Sequence, residues 1–97
     1  MIRHIVYFYA RDPKDREAIY DGLSILKGIP HCLHLEIGRN LNTDAISPEG
    51  PDFIVYGEFE SGAQLAAYKA HPLYQTSIDL VRPLRDQRIA ADFISLA

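Results

Sequence analysis

A single cysteine, Cys32, among 97 residues leaves no internal disulfide to form and no cysteine pair to hold a metal, so a reducing cytoplasm is the expected compartment. No stretch approaches the roughly 18 apolar residues of a membrane span, and the opening Met1-Ile2-Arg3-His4 lacks the basic and apolar regions of a leader. Basic runs are missing too. Ten Lys and Arg stand against thirteen Asp and Glu, a net charge of −3, which argues against nucleic acid or an anionic membrane as the partner. No Gly-rich phosphate loop, dinucleotide fingerprint or Ser-His-Asp order is present, so no cofactor is expected. Internal repeats and low-complexity tracts are likewise absent.

What remains is a short, apolar-rich chain, 47% of whose residues are hydrophobic. A chain of this size buries roughly 65% of the surface its unfolded form exposes, enough for one domain, spanning 1–97, with a thin core. Residues 2–9, IRHIVYFY, have the β-branched and aromatic content of a strand, and Asp12-Pro13 supplies a cap and a first-turn proline for a helix. Ile19, Leu23 and Leu26 follow at helical spacing until Gly28 and Pro30 stop them. A second strand is predicted over 32–37. Residues 39–52 hold Pro48, Gly50 and Pro51 and no apolar period, the pattern of a loop that is either a lid or plain surface. FIVYGEFE, 53–60, reads as a strand, and Ser61 with Gln64 as the start of a helix that Pro72 ends after His71. Tyr74, Ile78 and Val81 predict a further short helix before Pro83, and RIAADFIS, 88–95, the last strand. The order is β-α-β-β-α-α-β. It predicts an α+β fold, the ferredoxin-like split βαβ, with an antiparallel four-stranded sheet carrying its helices on one face.

Strand alternation then exposes a problem. Ile2, His4, Val6 and Phe8 share one face of the first strand and Arg3, Ile5, Tyr7 and Tyr9 the other, while Phe53, Val55 and Phe59 oppose Ile54, Tyr56 and Glu58 on the third. Both faces are substantially apolar, whereas an antiparallel sheet covered on one side should be polar on the other. A homodimer stacking two such sheets resolves this, with tyrosines suited to the interface. The alternative is a monomer with a partly wet, Tyr-rich face.

The opening R-H-I-V-Y-F, the I-P of 29–30 followed by I-G-R-N at 37–40, the strand F-I-V-Y-G-E-F-E-S, the segment Y-K-A-H-P-L-Y and the tail V-R-P-L-R together resemble the stress-responsive dimeric α/β barrel (Dabb) family over nearly the whole chain. The resemblance implies a homodimer whose two sheets close into a dimeric α/β barrel, with a pocket between helices and sheet in each subunit. It also implies, through a polyketide cyclase of similar sequence, aldol chemistry without metal or cofactor that depends on a His and a Tyr near the second helix. The matching positions are His4, Tyr68 and His71 of Y-x-x-H-P, and Asp92. Where the cyclase pattern H-P-x-H places its second His, the catalytic base, this chain has Tyr74.

A carbonyl-enolising site needs a base near neutrality and a donor for the developing oxyanion. His4 or His71 suits the first role, Tyr68 or Tyr74 the second, and Asp92 can orient an imidazole. Each has a structural alternative: His71-Pro72 as a helix terminator, His4 as a core histidine bonded to backbone or a Tyr hydroxyl, Tyr68 as a packing residue with a satisfied hydroxyl, Asp92 as an exposed strand residue. Cys32, His34 and Glu36 are metal-ligand types on one strand face, but steps of about 6.8 Å are too wide for one tetrahedral ion, and no metal is expected. Three functions follow: a homodimer binding a small apolar or aromatic ligand; a cofactor-independent lyase or cyclase acting on a carbonyl or polyketide-like substrate; and, from fold analogy alone, a monooxygenase-like role.

Overall fold

A computed structural model describes residues 1–97. Strand β1, Ile2–Ala10, alternates as its sequence dictates, turning His4, Val6 and Phe8 into the interior. The Asp12 carboxylate accepts the Lys14 amide and caps a 3-10 turn, Pro13–Asp15, that leads into helix α1, Arg16–Ser24. A second 3-10 turn, Ile25–Gly28, ends this unit. Strand β2 is His34–Arg39, starting two residues later than the 32–37 pattern suggests, because a turn at Pro30 and His31 delays pairing with the sheet. Strand β3, Phe53–Phe59, buries every second residue.

Ser61 caps helix α2, Gly62–Ala70, by accepting the Gln64 amide at 3.3 Å, as the sequence predicts. Helix α3, Pro72–Val81, follows after one residue. Strand β4, Arg85–Ile94, starts three residues ahead of the apolar run that marks it in the sequence.

The sheet order is β2-β3-β1-β4 and every pair is antiparallel, which is the ferredoxin-like arrangement. Ile19 and Leu23 of α1, Tyr68 of α2 and Val81 of α3 join Val6, Phe8, Val55 and Phe59 in one core, so the helices cover a single face. Each large apolar side chain buried there contributes about 1.5–3 kcal/mol. Two glycines let this core close. A Cβ on Gly22 would lie 2.7 Å from Cγ2 of Val81, so α1 and α3 touch nearly backbone to side chain, and the Ser77 hydroxyl donates to the Gly22 carbonyl at 2.8 Å. A Cβ on Gly57 would lie 2.8 Å from the Phe59 ring, while its pairing with His4 and Leu35 is regular; Gly57 marks a close contact and no bulge.

The opposite face has no helix. Ile5, Tyr7, Tyr9 and Ile54 are half-buried there, and β4 adds Ile89, 41% exposed, and Phe93, 48% exposed, opposite Tyr7 and Arg3. Its polar content is concentrated in one cluster, in which Tyr56 donates to Glu58 at 2.6 Å and Arg3 reaches both. The loop between β2 and β3 is tied at its base, where Asp52 accepts from Ala10 N–H at 2.7 Å and Arg16 Nε at 2.8 Å. It is not a lid over the cavity described below, none of whose lining residues it supplies.

Candidate functional site

Between the helix-covered face of the sheet and α2 and α3 lies a cavity of about 330 Å³. That is near the lower end of the roughly 300–1,000 Å³ typical of small-molecule sites. Val6, Phe8 and Val55 form its floor and Leu23, Leu26 and Val81 its sides, all buried and all placed by strand alternation or helical spacing. Into this apolar chamber the fold directs His4, Tyr68 and Tyr74.

His4 is 1% exposed and stands opposite Asp92 in the β1–β4 register, and its Nδ1 is hydrogen-bonded to the Asp92 carboxylate. Burial holds the imidazole below its usual 6.5, with the hydrogen bond to Asp92 opposing the effect, so the ring is neutral at pH 7. A neutral ring donating from Nδ1 to a carboxylate carries its lone pair on Nε2. Tyr68, also 1% exposed, meets the His4 ring edge-on at 6.2 Å and the Tyr74 ring at 5.3 Å. Burial pushes its phenol well above the usual 10, which keeps it a protonated donor. Neither His4 Nε2 nor the Tyr68 hydroxyl is hydrogen-bonded within the protein, and no buried polar side-chain atom lacks a partner. Both atoms therefore open onto the cavity. The Tyr74 hydroxyl accepts from Arg88 at 3.3 Å across the mouth.

A base lone pair and a neutral phenol donor thus share one apolar chamber. This constellation covers four of the five sequence candidates. A model of the stress-responsive A/B barrel domain matches residues 2–95 of the chain. The protein belongs to the Dabb family. A dimeric ferredoxin-like protein of unknown function from Thermobifida fusca is similar at 28% identity, with 95% of this chain and 88% of that one covered and a TM-score of 0.79. A Dabb family protein from Mesorhizobium loti has 23% identity, 99% and 97% coverage and a TM-score of 0.78. A putative antibiotic biosynthesis monooxygenase from Nitrosomonas europaea has the same fold at 20% identity, full coverage of both chains and a TM-score of 0.81. No curated protein matches the sequence.

His71 is the Dabb candidate that the fold places elsewhere. Pro72 holds it in extended backbone, φ −68° and ψ 141°, and its Nδ1 accepts the Leu73 amide at 3.1 Å as the cap of α3. Its ring packs edge-on against His31 at 6.1 Å, outside the cavity lining. The terminator reading holds in kind, but the ring serves the start of the following helix rather than the end of the one before. Of the structural alternatives for the others, Asp92 is an exposed strand residue and Tyr68 packs in the core as those readings have it, while the Tyr68 hydroxyl has no protein partner and the buried His4 bonds a carboxylate rather than backbone or a tyrosine. Cys32 donates weakly to the Ile29 carbonyl at 3.5 Å, His34 bonds Glu36 at 2.7 Å, and no cluster of three or more metal-ligand side chains exists. Sequence reasoning did not foresee the cations Lys69, Arg82, Arg85 and Arg88 at the mouth. Their only linear signal is the spacing of three between successive arginines, which crosses from a helix end into a strand.

Proposed function

We propose that the protein is a homodimeric α/β barrel that binds a small apolar or aromatic carbonyl compound in this cavity and moves a proton on it. The observation that carries the reading is the pair of unpartnered polar atoms, His4 Nε2 and the Tyr68 hydroxyl, in a lining that also includes the apolar Val6, Phe8 and Val55. The neutral imidazole removes a proton from the carbon next to the carbonyl, and Asp92 stabilises the imidazolium that results. The Tyr68 phenol donates a hydrogen bond to the oxygen that becomes the enolate. Return of the proton from the imidazolium to carbon, or attack of the enolate carbon on a second carbonyl of the same molecule followed by transfer of that proton to the alkoxide formed, completes an isomerase-like or cyclase-like cycle. Both routes call on side chains of this chain alone. The homodimer is supported by the uncovered apolar face bearing Tyr7, Ile89 and Phe93 and by the dimeric description of the Thermobifida fusca relative.

Deuterium exchange at the α-carbon of an aryl alkyl ketone, followed by NMR in heavy water, tests the reading. The wild type should accelerate exchange over buffer and His4→Gln should not. Saturation-transfer NMR with the same ketone tests binding separately, and Ile78→Trp, which fills the cavity, should abolish it. Exchange at the buffer rate would remove the proton-transfer role, and absence of saturation transfer would remove the ligand.

A further inference from the structure

The mouth of the cavity carries a charge pattern opposite to that of the protein. The chain has a net charge of −3, yet Lys69, Arg82, Arg85 and Arg88 all line the cavity and no Asp or Glu lines it. None of these four cations is in an ion pair with a carboxylate. The acids close to them in sequence are otherwise engaged or turned aside: Asp92 bonds His4, Asp79 accepts from Gln75 at 2.8 Å, and Asp86 offers Arg85 its backbone carbonyl at 2.9 Å. Arg88 is held over the opening by its 3.3 Å bond to the Tyr74 hydroxyl and by the Phe8 ring, 5.8 Å from its guanidinium carbon.

The backbone builds this cluster. Arg85 and Arg88 are three residues apart on one strand and would ordinarily point to opposite faces. The β1–β4 register shifts between Phe8 and Ala10, with Phe8 opposite Arg88 and Ala10 opposite Arg85, so three steps on β4 span two on β1. The additional residue brings both arginines to the cavity side, the kind of re-aiming for which bulges recur beside functional sites. The concentration of like charge is felt: Arg85 binds its proton less tightly than usual, through burial first and then through Arg88, Arg82 and Arg11. Such crowding is relieved by an anion, and guanidinium groups match the two oxygens of a carboxylate.

We infer that the ligand is an amphipathic carboxylate whose anionic group sits among Arg82, Arg85 and Arg88 at the mouth while its apolar body extends over Tyr68 towards His4. The inference rests on the ligand-binding reading above and adds the class of molecule. At about 330 Å³ the chamber suits one aromatic ring or a short acyl chain as that body, and is small for a nucleotide or an acyl carrier. With the carboxylate held at the mouth, the carbonyl next to the reacting carbon lies in the interior, which describes an aryl or acyl keto acid.

A matched pair of probes separates charge from shape. Titration calorimetry with 3-phenylpropanoate and 3-phenylpropanamide should show the carboxylate binding at least about tenfold tighter, the value of one charge-assisted hydrogen bond. Arg88→Gln should erase most of that ratio, the carboxylate losing far more affinity than the amide. Arg82→Gln, at an exposed position whose loss leaves the core intact, should narrow it as well. Equal affinity for the two probes would overturn the inference while leaving the ligand-binding reading standing. Carboxylate binding that survives Ile78→Trp would show attraction to the surface and overturn it too. No binding of either probe, together with no saturation transfer from the neutral ketone, would overturn both readings.

Discussion

His4 and Asp92 face each other across the β1–β4 ladder, and the carboxylate, 40% exposed, holds an imidazole that is 1% exposed. The bond fixes the tautomer that leaves Nε2 basic. Asp92→Asn keeps the shape and presents an amide in place of the carboxylate, so the imidazolium loses its stabilising charge. Catalysed α-proton exchange should fall by about 10²-fold or more while ligand affinity changes less than about threefold. Equal losses in rate and affinity would instead assign Asp92 to ligand binding.

Stability should depend on pH through the same histidine. Burial lowers the His4 value in the folded chain below the 6.5 it has when unfolded. Above that value the ring is neutral in both states and contributes no pH dependence. As pH falls below it the unfolded chain takes up a proton that the folded chain refuses, and stability is lost at up to about 1.4 kcal/mol per pH unit until the folded value is reached. Urea unfolding across about pH 5 to 8 should show this slope on the acid side, and His4→Gln should flatten it. A slope that persists in the variant would assign it to another group.

The α1–α3 contact should resist even one methyl group. Gly22→Ala places a Cβ within 2.7 Å of the short, β-branched Val81 side chain, which has no free rotation to yield. Overpacking costs about 1–3 kcal/mol, against about 1 kcal/mol gained in helix propensity, so net destabilisation is expected. Ser77→Ala, which removes the hydroxyl bonded to the Gly22 carbonyl, should cost about 1 kcal/mol. Thermal melts of both variants provide the check.

Association should depend on the uncovered face. Tyr7→Asp would place a charge at the centre of the proposed sheet-to-sheet interface, and the desolvation of an unpaired carboxylate should raise the dimer dissociation constant at least about a hundredfold. Light scattering at micromolar concentration should then report a mass near 11.0 kDa. A wild type that already scatters as a monomer would dismiss the dimer.

The fold was legible where one physical cause acts locally. Alternation in β1 and β3, the Asp12 and Ser61 caps, the Pro13 start and the end of α2 before Pro72 each depend on a few neighbouring residues, and these appear where expected. The start of β4 was not legible because Arg85 pairs with Ala10 of β1 while Asp86 and Gln87 span the register shift, and the three bring no apolar period of their own. Four of the five candidate residues converge. The role of His71 and the cation cluster were hidden for a common reason: a capping bond across two residues and a one-residue register shift decide where those side chains point, and composition is silent on both.

Strand β4 carries Asp92 and Arg88, yet from Asp86 to Ile94 every one of its residues is exposed and none belongs to the core. Its attachment is the ladder to β1 and a few polar contacts, so peeling it away surrenders little apolar burial. Within one subunit the site is therefore a seam between a firm half, His4 and Tyr68, and a loose half, which can come apart while the rest stays folded unless a second subunit covers Ile89 and Phe93 of β4. A ligand bridging the seam would act as a stitch. Amide protons along β4 should then exchange more slowly with ligand bound, while those of β3 keep their rates.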